Sequence, residues 1–376
     1  MPARLHHQII TRQALRSAGI SGHEQLIEDY SSFPDDFHRR YREVEPYMFI
    51  MDDLEFHYPP HTPVDQFYRY WNHTPERGTC MVDTTTNRNQ SFSEAGFAFY
   101  LKNILGNLKK DAIDEADKFL GCLLHYLEDN AFGIHALEGP DGTDIYILDR
   151  LSGMDFAKYI CSIPLDETLW ELTVTPHIFT HCPEEFPALL YRHYCDAVAI
   201  SRQALFDTAA NYIYGQSKYS VLENHRTMFL SAVRLAADTI ATIKAIAKAD
   251  TPAPSRRKLT DFAPFYYPFG GGGGFQLRRY QENNDTISFG INVEARLLYN
   301  IPDSIYSNFK AALVASEAGE TKVELINHGK IVRTMDISGN QEISIGIDQP
   351  GGEFGFIVHA TKGVGALTIL HPEFHN

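Results

Sequence analysis

Nowhere in this sequence do about eighteen apolar residues follow one another, so no segment is long and apolar enough for a membrane-spanning helix. Cysteine is scarce. Cys80, Cys122, Cys161, Cys182 and Cys195 are an odd number with no paired spacing, which argues against a disulfide scaffold and for free thiols. Positive charge is in deficit, with 33 Lys and Arg against 48 Asp and Glu and a formal net charge of −15. That field opposes loose, sequence-independent binding to nucleic acid, although divalent cations could offset it locally around a nuclease site. No secretory leader is visible, because MPARLHHQIITRQAL has neither an apolar core nor a cleavage-like end. The expectation is a cytoplasmic chain or one exported by a leaderless route. Several catalytic patterns are missing too. There is no His-Glu-x-x-His, no Gly-x-Ser-x-Gly and no Glu-x-x-His pair of the di-iron bundles. The run Gly270 to Gly274 is not followed by the Lys-Ser/Thr of a phosphate-binding loop.

What the chain does have is a core and histidine. With 44% hydrophobic and 22% charged residues over 376 positions it can bury a large interior, and its length allows two or three domains. Of 17 histidines, twelve precede residue 200, so metal-ligand types crowd the first part. The most informative stretch is 118–136, KFLGCLLHYLEDNAFGIHA. Leu120, Leu123, Leu124 and Leu127 recur at helical spacing, which places His125 and Asp129 one turn apart on one face. Gly133 interrupts the helix, and His135 follows. Taken alone, such a pair is more often a half-buried hydrogen bond than a metal site, so further ligands are needed.

The rest of the first part supplies them. His6 and His7 open an amphipathic segment that stops near Gly19 to Gly22. Asp35 and Asp36 stand at a turn-like helix start, where capping is the ordinary role of an aspartate. His57 lies in the extended stretch Phe56-His57-Tyr58-Pro59. His177, His181 and Glu185 follow at intervals of four, broken by Pro183, and Glu184 and Glu185 could instead cap the next helix. Two long helices are expected over about 186–214 and 218–249.

Near Ala249 the pattern changes. Residues 250–285 read as a Pro/Gly-rich linker, and from Thr286 apolar and polar residues alternate. Seven candidate strands, 286–298, 309–316, 321–327, 330–337, 341–347, 353–360 and 365–370, indicate an antiparallel β-sandwich. The expected architecture is thus a mostly α-helical catalytic domain over 1–249, the linker, and a small β-sandwich accessory domain over 286–376.

In its order of residues the first part resembles the zinc-dependent phospholipase C and P1/S1 nuclease superfamily. The strongest correspondence is Gly121-Cys122-Leu123-Leu124-His125-Tyr126-Leu127-Glu128-Asp129 with His135 six residues on. His7 with Ala14 resembles the family's N-terminal ligand helix, and Phe56-His57-Tyr58 its His-Phe-Tyr segment. His181 and Glu185 resemble its His-x-x-x-Glu pair. The resemblance implies an all-helical, phosphate-ester-cleaving domain with two or three zinc ions. It would place His57, His125, Asp129 and Asp35 or Asp36 on one ion, and His135, His181 and Glu185 on a second. Asp129 would bridge to a third ion that also takes His7. The aspartate at 35 or 36 is also implied as general base. The family's secreted members use an N-terminal tryptophan on the third ion. No Trp precedes Trp71 here, so that site either is incomplete or uses His6. The interval from His135 to His181 is longer than the family's, which leaves His177 as a rival ligand.

The implied function is a zinc phospholipase C acting on phosphatidylcholine-type lipid, with the sandwich in peripheral contact with a membrane surface. A nuclease or phosphomonoesterase with the same chemistry is the alternative, and only there is nucleic acid a partner. A third reading is a zinc-stabilised binding or toxin-associated module with structural metals.

Overall fold

The computed structural model describes residues 4–36, 42–43, 45–47, 80–83, 88–133, 136, 150, 153, 155–164, 171–215, 218–248, 255–264, 281–291, 294–315, 320–339, 341–360 and 365–376. Two kinds of organisation follow one another along the chain: mostly helices to Lys248, then antiparallel sheets from Arg256.

The helices are α1 (Arg4–Ser17), α2 (Glu24–Ser31), α3 (Phe92–Leu108), α4 (Ile113–Ala131), α5 (Phe156–Ser162), α6 (Phe186–Ile213) and α7 (Lys218–Lys248). Every residue of α4 from Phe119 to Ala131 is buried. A helix shielded on all sides must be the centre of its bundle, and α1, α2, α3, α6 and α7 all pack on it. Gly121 is what lets α2 come so close. A Cβ there would stand 2.6 Å from Tyr30 Cβ and 2.7 Å from the Ile27 carbonyl oxygen, so any larger residue would push the two helices apart.

A short antiparallel hairpin, β1 (Cys80–Asp83) with β2 (Arg88–Ser91), precedes α3. The second part comprises β3 (Arg256–Lys258), β4 (Gln281–Asn283), β5 (Thr286–Ile291), β6 (Glu294–Ile301), β7 (Asn308–Ala315), β8 (Glu320–Asn327), β9 (Lys330–Ser338), β10 (Glu342–Asp348), β11 (Gly352–Ala360) and β12 (Gly365–His375). One sheet runs β10-β7-β12-β5-β4 with β3 added on β12; the other runs β6-β11-β8-β9. Phe309 and Phe374 of the first meet Phe354 of the second at ring distances of 4.8 and 5.4 Å, so the sheets close on a shared aromatic core. Gly355, at φ +153° and with the Leu297 carbonyl where a Cβ would go, allows β6 and β11 to pair.

Two expectations change here. The strand read as 286–298 is two strands, β5 and β6, which belong to different sheets. Part of the 250–285 stretch is structural: β3 pairs with β12, and β4 pairs with β5. Alternation of polarity marks the face of a strand but not its sheet, and a three-residue edge strand is too short to show alternation at all.

Candidate metal centre

On helix α1, which is buried over much of its surface, His7, Ile10, Thr11 and Ala14 share a single face. In α4 the wholly buried stretch carries His125, Glu128 and Asp129, each with 0% exposure. Three ionisable side chains inside an apolar bundle are costly unless each is matched. The turn Pro34–Asp36, entered from α2, brings the fourth group, Asp35, whose side chain is 20% exposed.

These residues converge. His7 Nε2 is 3.2 Å from Asp129 Oδ1, and His125 Nε2 is 3.6 Å from Asp129 Oδ2. Asp35 closes the other side, its two oxygens each 4.0 Å from one of the same two nitrogens. The imidazole rings stack at 4.3 Å. Two carboxylates thus each face both imidazoles, and one atom each from His7, His125 and Asp129 lies within 4.8 Å of the others.

The far side of each ring is held. His125 Nδ1 is 2.6 Å from the Ser31 carbonyl oxygen, which can only accept, so the proton of the neutral ring is on Nδ1 and Nε2 carries the lone pair. Burial lowers the proton affinity of His125, which favours that neutral form. His7 Nδ1 is 2.8 Å from Glu128 Oε2, and the Thr11 hydroxyl donates to Glu128 Oε1 at 2.5 Å. For His7, burial alone would strip the proton, but hydrogen bonds and charge from Asp129 and Glu128 prevail and raise its pKa to about 10. Without a metal, a proton on His7 therefore offsets part of the buried negative charge. A divalent cation among the same atoms would take over that role.

The donor set fits zinc. Neutral imidazole nitrogen and carboxylate oxygen are its ordinary ligands, and a ring fixed through its other nitrogen by a carboxylate or a carbonyl is how such ligands are oriented. Glu128, backed by Thr11, and Ser31 hold the two rings in this way, roles that residue order alone does not disclose. The signal for Glu128 was its place one turn after His125 on a face otherwise apolar. Ser31 acts through its backbone, which leaves no mark in sequence.

Of the expected ligands, the structure brings together His7, Asp35, His125 and Asp129. Asp36 forms no ion pair with these imidazoles among the described residues, so between the two acids it is Asp35 that faces them. His57 and His135 lie outside the described residues. His6 turns the other way, its ring against Phe132 and His225. The expected pair His181 and Glu185 is placed elsewhere. His181 is exposed, as is His177, whose backbone amide donates to Asp238. Glu185 is fully buried but belongs to another network, in which Thr180 donates at 2.7 Å, Arg257 Nη2 at 3.0 Å, and the Tyr306 hydroxyl makes a short bond. Its carboxylate is paired with an arginine from the sheet part and so ties the two parts together.

No protein-family model matches the chain, and no curated protein sequence does. Among solved structures, an alpha toxin from Clostridium absonum aligns over 95% of this chain and 87% of its own, at 11% identity and a TM-score of 0.34. An alpha-toxin from an avian strain of Clostridium perfringens covers 95% of this chain and 82% of its own, at 10% identity and a TM-score of 0.32. A variant of the carbohydrate binding module CBM29-2 covers 29% of this chain and 74% of its own, at 13% identity and a TM-score of 0.20. Likenesses this distant carry no functional argument, and the weight falls on the site.

Proposed function

We propose that the chain is a zinc-dependent phosphoric ester hydrolase, and that its substrate is a phosphatidylcholine-type lipid cleaved in the manner of a phospholipase C. The observation that carries the reading is the convergence of His7 and His125 Nε2 on Asp129 and Asp35, with each ring's Nδ1 already engaged. Zinc held there would supply Lewis acidity toward phosphoryl oxygens and would acidify water. The protein's part is to orient and to move protons. Ser31 and Glu128 fix the rings. Asp129, closed off from solvent, sits between them. Asp35 has access to solvent, which supports its reading as the group that accepts a proton from the attacking water.

The net charge of −15 suits a zwitterionic head group better than a long polyanion. A surface contact with lipid is supported by Ile331 and Val332 on edge strand β9, 55% and 51% exposed and flanked by Lys330 and Arg333. Zinc counted by mass spectrometry in the purified chain, together with diacylglycerol release from phosphatidylcholine liposomes, tests the proposal. Fewer than one zinc per chain would sink it. Cleavage of single-stranded DNA without diacylglycerol release would redirect it to the nuclease reading. Ile331→Ser with Val332→Ser should slow turnover of liposomes but not of a soluble phosphate ester.

A further inference from the structure

A second set of cation donors stands at the outer end of the contact between α2 and α4. His23, at the start of α2, places Nδ1 at 3.0 Å from Asp117 Oδ2, and its side chain is 45% exposed against 14% for Asp117. Asp114 completes the group: one ligand atom from each of the three lies within 4.8 Å of the others. Asp117 precedes His125 by eight residues, about 12 Å along a helix, so this group is separate from the centre described above.

An ion pair between His23 and Asp117 accounts for only two of the three groups. The first turn of α4 favours carboxylates, which explains Asp114 but neither Asp117 nor the imidazole from another helix that converges on both. Asp117 Oδ2 is closed to solvent and, despite the nearness of His23, receives no well-directed hydrogen bond among the described residues. Two carboxylates thus meet a single imidazole, and a cation would supply the positive charge that the imidazole alone does not balance.

We propose that His23, Asp114 and Asp117 form a further divalent-cation site, of zinc class, that fastens the start of α2 to the start of α4. One nitrogen and two carboxylates suit zinc better than magnesium or calcium, which prefer all-oxygen shells, and water completes the coordination on the exposed side. The site's place in the fold gives it a use. Helix α2 lies along α4, meeting it at His23, again at Gly121 and finally at Ser31, whose carbonyl holds His125. Asp35 follows four residues later. An ion at the outer end holds α2 in the position from which Ser31 and Asp35 reach the centre. The site stands independently of the proposed hydrolase activity, since its donors are not those of the centre.

The test is calorimetric zinc titration of the full, metal-stripped chain, read together with the zinc-induced rise in Tm. Using Asp129→Asn as background removes the contribution of the inner centre. In that background one binding event at micromolar zinc should persist, and His23→Ala should weaken it at least tenfold and shrink the rise in Tm. Asp117→Asn should do the same, while exposed His181→Ala should leave both unchanged. Equal zinc affinity and stoichiometry with and without His23→Ala and Asp117→Asn would overturn the proposal, as would an event seen only at millimolar zinc. Asp129→Asn alone reports on the inner centre, so failure of one site is distinguishable from failure of the other.

Discussion

Asp129 and Glu185 invite comparison, because each is a fully buried carboxylate four residues after a histidine. Asp129 sits on the continuous helix α4, which brings His125 to its own face, and its second neighbour is the imidazole of His7 from α1. Glu185 follows a turn broken by Pro183, so His181 points to solvent, and the carboxylate meets Arg257, Tyr306 and Thr180 instead. One carboxylate faces groups that can bind a metal once a proton leaves. The other faces a guanidinium that never loses its proton. Spacing brings a pair of residues near one another only when the backbone between them is regular; what lies opposite then decides whether the pair is a site or a clamp.

The largest expected effect lies on the Asp129 side. Asp129→Asn should lower zinc content and cut phosphoesterase turnover by at least about 100-fold, with little change in circular dichroism. Full activity of that variant would remove the site assignment. Glu185→Ala should do the reverse, leaving zinc content unchanged while costing about 3 kcal/mol in denaturant unfolding, because Arg257 loses its buried counter-charge. If Glu185→Ala instead lost zinc with unchanged stability, the two carboxylates would be equivalent after all.

A third carboxylate, Glu94, gives the comparison a pH axis. It is buried at the junction, where Asn300 donates to it at 2.7 Å and Glu184 and Asp303 line the same crevice. Burial pushes its pKa up from 4.5 to about 8, against the smaller opposing effect of Asn300. The folded chain thus holds a proton that the unfolded chain releases. Its contribution to stability is complete below about pH 4.5 and is lost as pH rises through about 8. Glu94→Gln should flatten this slope, with a gain on the order of 2 kcal/mol at the alkaline end, read from urea melts across that range. An unchanged pH profile would show that Glu94 is ionised in the fold.

The smallest effect should come from Glu128. Glu128→Gln leaves the zinc donors intact but loosens the anchor of His7, so zinc affinity should fall by roughly tenfold with the fold retained. An effect as large as that of Asp129→Asn would place Glu128 on the ion itself. Measuring both affinities by competition with a chelator separates the two cases.

Much of this was legible in sequence, and particular residues show why. The helical spacing of Leu120, Leu123, Leu124 and Leu127 predicts α4 with His125 and Asp129 on one face. The two long helices lie where apolar periodicity puts them, at Phe186–Ile213 and Lys218–Lys248. Six of the seven candidate strands match single strands, because alternation is a local property. Long-range partners were not legible. Nothing near Glu185 in sequence announces Arg257, 72 residues on. Nothing near His7 announces Glu128, 121 residues on.

By itself, the sequence determined the two long helices, most of the longer strands, and which side of α4 carries an imidazole and a carboxylate. These follow from periodicity, which acts over a few residues. The tertiary structure alone decided that Asp35 rather than Asp36 faces the rings, that the Ser31 carbonyl sets the tautomer of His125, and that Glu185 meets an arginine. The physical reason is that a buried charge takes its meaning from what the fold packs against it, and those partners are brought together by the whole chain.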